Sequence, residues 1–330
     1  MKKAFVIVLL VLAVLVAALS AAALLGREDM ALDAKARAKL PGAFLTLSQG
    51  RVHYELSGPE DGKPVVLVHG FSTPMFVWKG LAPYLAGKGF RVLRFDLYGR
   101  GLSDRPDAPY DADTYDRELM EIIRAAGLKT PVDVVGLSMG GAVSVNFCAR
   151  HPNLVDRLVL IGPAGMPQKE TVLMSLVKVP GLGEILMAGL GGFTIRQGAK
   201  RSIVNPELIP GFTAEFTPQT RYKGYKRAIL RTLRNFPMFN LEKAYLTLGG
   251  QDRKVLLIWG EGDVIVPFEN SRKVLSAVPQ AKFVPVAGAG HMPQYEKPQE
   301  INPLIAAFLA PPPAPPPAGQ PAKAGTGPDA

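Results

Sequence analysis

One short stretch constrains the fold of this chain more than any other. Val132-Asp-Val-Val-Gly136-Leu-Ser138-Met-Gly140-Gly141 passes from a valine-rich run that reads as a buried strand into Gly-x-Ser-x-Gly, and a helical stretch over residues 140–150 begins at once. A strand apolar on both faces belongs inside a parallel sheet covered by helices on either side. The turn joining that strand to the helix has to be tight. Gly136 and Gly140 suit it because side chains there would collide across the turn. Ser138, at the apex, is forced into strained backbone angles with its hydroxyl exposed above the sheet. The helix that follows directs the positive end of its dipole at any negative charge developing there. Gly-x-Ser-x-Gly arises often by chance, but a strand before it and a helix after it make Ser138 a candidate nucleophile.

Similar apolar runs occur at residues 64–68, 91–95, 157–161, 255–259 and 282–286, and an opening hairpin is predicted from 44–47 and 52–56 around Ser48-Gln-Gly-Arg51. Helical stretches fall between them at 76–88, 114–126, 140–150 and 269–278. This alternation predicts an α/β fold, a mostly parallel eight-stranded sheet with helices on both faces. Residues 163–252 interrupt it. The insertion is too long to be a loop and must carry structure of its own.

A serine hydroxyl is a weak nucleophile alone and needs a base, which in turn needs an orienting carboxylate. Both candidates lie beyond the insertion, each just after the C-terminal end of a strand, where open α/β sheets place their sites. The run 255–259 leads into Gly260-Glu-Gly-Asp263, and the run 282–286 leads into Gly288-Ala-Gly-His291. His291 follows a glycine-rich loop and is the predicted base. Asp263 is the predicted acid, with Glu261 as its rival; the preceding strand ends Gly162-Pro-Ala-Gly165 without a carboxylate. For the oxyanion, 65–68 runs into His69-Gly70-Phe71, where Gly70 lets the backbone turn so that the Phe71 N–H faces Ser138. The second donor is expected to be the Met139 N–H. His53, in the hairpin, and His151, at a helix end, have blander explanations.

The single cysteine, Cys148, excludes an intrachain disulfide and reads as a buried thiol. With no CxxC, no HExxH and no clustered His and Cys ligands, a protein-held metal is not expected, and neither is a cofactor.

The stretches His69-Gly-Phe71, Asp96-Leu-Tyr-Gly-Arg-Gly-Leu-Ser-Asp104, Gly136–Gly141, Gly260-Glu-Gly-Asp263 and Gly290-His291 occur in an order that resembles the α/β-hydrolase fold family over residues 44–309. The resemblance implies a serine hydrolase with a helical cap inserted after strand 6. It also implies that Asp96 and Arg100 brace the oxyanion loop. Haloalkane dehalogenases and epoxide hydrolases of similar layout carry aspartate where Ser138 stands, which argues against both activities. Carbon–carbon bond hydrolases and cofactor-free perhydrolases carry the same triad and stay open as alternatives. Binding modules on this fold usually lack a triad member.

At the N-terminus, Met1-Lys-Lys3 precedes an uncharged apolar run from Ala4 to Leu25. It reads as a signal peptide or an uncleaved signal anchor, and exceeds the roughly 7–15-residue apolar region of a cleaved signal. Either reading places the catalytic domain outside the cytoplasm. Between Gln168 and Lys254 there are 14 Lys and Arg against 6 Asp and Glu, so this segment holds most of the formal net charge of +10. Its stretch 171–190 is unusually apolar, and Arg221-Tyr-Lys-Gly-Tyr-Lys-Arg227 is strongly basic. A cap resting on an anionic membrane is one reading; an apolar acyl pocket with a solvated basic helix is the other. Nucleic-acid binding has no motif to support it. The whole layout looks like that of membrane-anchored monoacylglycerol lipases, which implies a lipid-like acyl ester as substrate. The expected organisation is a signal segment (1–26), a linker (27–40), the core (41–162 and 253–309), the cap (163–252) and a disordered Pro/Ala-rich tail (310–330).

Overall fold

The computed structural model describes Lys3, Phe5–Ile7 and residues 26–38 and 40–311. The predicted signal segment and tail lie almost wholly outside the described residues. Among the described residues, no single helix is long and apolar enough to cross a membrane.

Eight strands form one sheet in the order β1-β2-β4-β3-β5-β6-β7-β8. They are β1 (Ala43–Leu47), β2 (Gly50–Ser57), β3 (Lys63–Val68), β4 (Phe90–Phe95), β5 (Val132–Leu137), β6 (Val155–Ile161), β7 (Val255–Gly260) and β8 (Lys282–Val286). The β1–β2 hairpin and the β2–β4 pair are antiparallel, and every other pair is parallel. Because each central strand is apolar on both faces, consecutive residues feed two different cores. Val66, Val68, Val134, Leu158, Leu160 and Trp259 pack into one layer, and their chain neighbours Val65, Leu67, Val135, Val159, Ile161 and Ile258 into the other. Each such fully buried side chain contributes on the order of 1.5–3 kcal/mol.

The helices of the first half are α1 (Leu81–Gly87), α2 (Ala112–Ala125) and α3 (Met139–Arg150). Asp111 starts α2 by accepting the Thr114 N–H at 2.8 Å. The single helix predicted over 76–88 is in fact a 3₁₀ turn, Met75–Trp78, followed by α1. Pro83 has no N–H to give to a continuous helix and is tolerated because it falls in the first turn of α1.

Residues 162–254 separate β6 from β7 and carry α4 (Val172–Lys178), α5 (Leu182–Leu186), a π-helical turn (Met187–Gly191), α6 (Gly192–Arg201), α7 (Ile209–Phe216), α8 (Tyr225–Asn235) and α9 (Glu242–Gly249). Val177, Met187, Tyr225, Ile229 and Leu230 form a small core within this insertion. After β7 come α10 (Asn270–Ala277) and α11 (Pro298–Leu309). The sequence reading missed α11, whose Pro298 sits at its start and Pro303 inside it.

The stretch read as a linker is tied down. Met30 pairs with Tyr222 in an isolated bridge, Asp33 caps a single helical turn at Ala34–Arg37, and Arg37 pairs with Asp104.

Candidate active site

The chain leaves β3 to one side to make β4, then returns to place β5 on the other side of β3. That reversal opens a crevice beyond the C-terminal ends of β3 and β5. Val68 is the register partner of Gly136, so the loop leaving β3 runs directly beside the turn that carries Ser138.

Ser138 adopts φ 55° and ψ −121°, one of two non-glycine residues at positive φ among those described. Such a conformation is costly and persists only where its surroundings enforce it. Here its N–H donates to the Ile161 carbonyl at 2.9 Å, while its own carbonyl accepts from Ala142 and Ala164. A Cβ on Gly140 would come within 2.2 Å of the Val68 carbonyl oxygen, and one on Gly136 within 2.7 Å of the Gly140 oxygen. Both glycines are therefore sterically required. Met139 begins α3, so its N–H has no partner within the helix.

Asp263 and His291 come together across the ends of β7 and β8. His291 Nδ1 lies 2.7 Å from Asp263 Oδ2, with both side chains almost fully buried. The other carboxylate oxygen accepts the N–H groups of Ile265 and Val266 at 2.8 and 3.0 Å. A carboxylate so placed holds the proton on His291 Nδ1 and leaves Nε2 free to accept one. Glu261, the rival acid, lies exposed and does not join the pair. Gly162 packs onto the pair: a Cβ there would lie 3.0 Å from Asp263 Oδ2 and 3.2 Å from His291 Nδ1.

Ser138 and His291 line one cavity of about 390 Å³, together with Gly70 and Phe71. No hydrogen bond joins the Ser138 hydroxyl to the imidazole among the described residues. Catalytic contacts of this kind are commonly long before substrate binds. The remaining wall is mostly apolar, with Met174, Ile195, Leu233, Ile265 and Met292, and Arg201 joins it.

His69 is fully buried, and burial lowers its pKa to about 4 despite the nearby Asp96 charge. The Leu97 N–H donates to its Nε2 at 2.9 Å, so the ring proton sits on Nδ1, which donates to the Gly70 carbonyl at 2.8 Å. That carbonyl belongs to the same trans peptide as the Phe71 N–H. Fixing one end aims the other oppositely.

Arg100 holds the next carbonyl. It is fully buried, donating from Nε to the Phe71 oxygen at 2.8 Å and from Nη2 to Thr232 Oγ1 of α8 at 2.9 Å. Asp96 accepts the N–H groups of Met75 and Leu102 and lies 2.7 Å from His53 Nδ1. Burial works to raise the Asp96 pKa, but the bond and charge of His53, joined by the His69 charge and the Met75 N–H, outweigh it and hold the group at about 2. His53 is thus more than the hairpin residue read from the sequence: it is one half of a buried pair under the loop that follows β3.

The insertion also reaches the site. Gln219 accepts the Gly101 N–H at 2.9 Å and donates to the Ser72 carbonyl at 2.7 Å. The His291 N–H donates to the Ser202 carbonyl at 2.9 Å. Glu296 accepts from Gly290 with one oxygen and from Val204 and Asn205 with the other. None of these partners carries a signature in sequence, since each is a single polar residue within an irregular or helical stretch.

Comparison with known proteins bears on the family and the fold. A family model described as the alpha/beta hydrolase fold matches residues 63–298. The AB hydrolase superfamily protein YisY of Bacillus subtilis is 29% identical over 261 residues, covering 75% of this chain and 91% of the relative. Lipase 1 of Psychrobacter immobilis is 27% identical over 270 residues, covering 80% of this chain and 82% of the lipase. Among solved structures, the enol-lactonase from Burkholderia xenovorans LB400 superposes with a TM-score of 0.70 at 20% identity, covering 81% of this chain and 99% of that one.

Proposed function

Since the chain belongs to the α/β-hydrolase fold family and is a hydrolase of the esterase and lipase type, we propose that it cleaves carboxylic esters through an acyl-enzyme on Ser138. His291 Nε2 takes the Ser138 proton as the hydroxyl oxygen attacks the ester carbonyl, and Asp263 steadies the imidazolium that forms. The N–H groups of Phe71 and Met139 receive the resulting oxyanion, a contribution of about 3 kcal/mol for each donor of this kind. Collapse of the tetrahedral intermediate passes the proton from His291 to the departing alcohol. Water, activated by the same imidazole, then attacks the acyl-enzyme and releases the acid.

The observation that carries this reading is the 2.7 Å contact between His291 Nδ1 and Asp263 Oδ2, with His291 and the strained Ser138 on one cavity wall. The apolar remainder of that wall suits an acyl chain, and a lipid-like ester such as a monoacylglycerol is the proposed substrate class. We also propose that the apolar run at residues 4–25 tethers the catalytic domain to a membrane on its non-cytoplasmic side. A series of p-nitrophenyl esters of rising chain length tests the substrate reading, with a vinylogous diketone run beside it. Turnover of medium and long acyl esters, abolished in Ser138→Ala, is expected. Turnover of the diketone without ester cleavage would point instead to carbon–carbon bond hydrolysis.

A further inference from the structure

α8 is two-faced. Ala228, Ile229 and Thr232 are buried beneath it, while Lys226, Arg227, Arg231 and Arg234 line a groove of about 360 Å³ on its other side. Met187 and Leu230 supply the apolar part of that groove. Glu184 neutralises Arg234, at 2.6 and 3.0 Å, and Asp107 of the core pairs with Arg231. Lys226 and Arg227 instead donate to neutral carbonyls, those of Ala188 at 2.9 Å and Arg105 at 2.7 Å. Among the described residues neither makes a salt bridge, although the carboxylates of Glu28 and Asp107 lie near enough to act on Lys226 and Arg227 respectively.

Large apolar side chains stand exposed beside the groove. α4 and the helical stretch Leu182–Arg201 meet at 115°, and Val179, Ile185, Leu190 and Phe193 of this region face water, Ile185 at 57% and Phe193 at 58%. The cations of α8 grip the backbone of the same region: Arg234 donates to the carbonyls of Lys178 and Val179, and Lys226 to that of Ala188. Scattered exposed apolar residues need no explanation, but a cluster rimmed by cations does. The stretch that follows the apolar N-terminal run is fastened to the same helix. Glu28 accepts the N–H groups of Gly224 and Lys226, and Asp29 makes two bonds to Arg221.

We propose that the α8 groove binds the anionic phosphate headgroup of a membrane phospholipid while the apolar residues beside it enter the acyl layer of the same leaflet. The occupant is a lipid surface because three features converge on α8: two cations without a salt bridge among the described residues, exposed apolar side chains, and the fastening point of a chain that comes from an apolar run. This rests on the lipid-ester reading and adds to it that the substrate's own bilayer is what the cap recognises.

The test uses the full-length chain carrying Phe193→Trp. Trp78 and Trp259 are fully buried, so a change in emission reports position 193. Vesicles of phosphatidylcholine mixed with phosphatidylglycerol should shift the emission to the blue. Phosphatidylcholine alone should shift it little, and inorganic phosphate not at all. Lys226→Gln combined with Arg227→Gln should reduce the shift to the phosphatidylcholine level while cleavage of a short soluble ester is unchanged. An equal shift with both vesicles, or one indifferent to the two glutamines, overturns the headgroup site. Emission already blue without lipid, and unmoved by it, shows the apolar run of this chain covering the surface and overturns the proposal. An inactive protein that keeps the phosphatidylglycerol-dependent shift would sink the hydrolase reading alone.

Discussion

Gln219 of the insertion donates its amide N–H to the Ser72 carbonyl at 2.7 Å, and the same side chain accepts the Gly101 N–H at 2.9 Å. Thr232, also from the insertion, receives Arg100, which holds the Phe71 carbonyl. The loop that presents the Phe71 N–H is therefore shaped partly by residues that arrive from the insertion, as well as by the core strands beneath it.

Gln219→Leu should accordingly act on the oxyanion. Leaving the Gly101 N–H without its partner costs on the order of 1–3 kcal/mol of stability. A loop that relaxes by a fraction of an ångström weakens a donor whose complete loss is worth about 10²–10³-fold in kcat. The expected result is a fall in kcat of up to about 10²-fold with KM little changed, and weaker binding of a boronic acid that mimics the tetrahedral intermediate. A change in melting temperature with kcat intact would make Gln219 structural only.

His69 gives a pH prediction. Its folded pKa is about 4 against an ordinary 6.5, so the unfolded chain binds the extra proton first as pH falls. Its contribution to stability is therefore lost between pH 6.5 and about 4, amounting to roughly 3 kcal/mol across the window. His69→Asn keeps an N–H near the Gly70 carbonyl but cannot titrate. Urea unfolding at several pH values should show the wild type losing stability relative to this variant as pH drops. Parallel curves would contradict the assignment.

Asp263→Asn keeps the size of the side chain but no longer requires a proton on His291 Nδ1. Loss of the correct tautomer in such triads lowers kcat by about 10⁴-fold. The steady-state kinetics should show that fall with substrate binding nearly intact.

Gly140→Ala places a Cβ where the Val68 carbonyl oxygen stands, at 2.2 Å. The backbone has to move, and overpacking of this kind costs about 1–3 kcal/mol or more. Calorimetry should show a lowered melting temperature together with lost activity, because the Ser138 turn cannot keep its shape.

Much of the fold was legible because its signals are local. Central strands such as β7 are apolar without interruption, as is Val65–Val68 of β3, and the turn at Ser138 needs two glycines at fixed positions. His291 and Asp263 were found by where they fall in chain order, just past strand ends, and the structure brings their side chains together. The split at Lys79-Gly80 was hidden because apolar periodicity runs through it, and α11 because two prolines mask a helix. What sequence could not reveal were the long-range polar contacts. Gln219, Thr232 and Ser202 meet the site only through the way the insertion folds back, and nothing local marks them. His53 was underestimated for the same reason, since its partner Asp96 is brought to it by the pairing of β2 with β4.

The most direct test of the central claim is covalent labelling of Ser138 by a fluorophosphonate probe, followed by peptide mapping, alongside the ester kinetics of Ser138→Ala. The account predicts a single adduct on Ser138, loss of labelling in the variant, and a fall in kcat of about 10⁶-fold with the fold intact. An unlabelled Ser138 while a control hydrolase reacts, or ester turnover that survives in the variant, would contradict it.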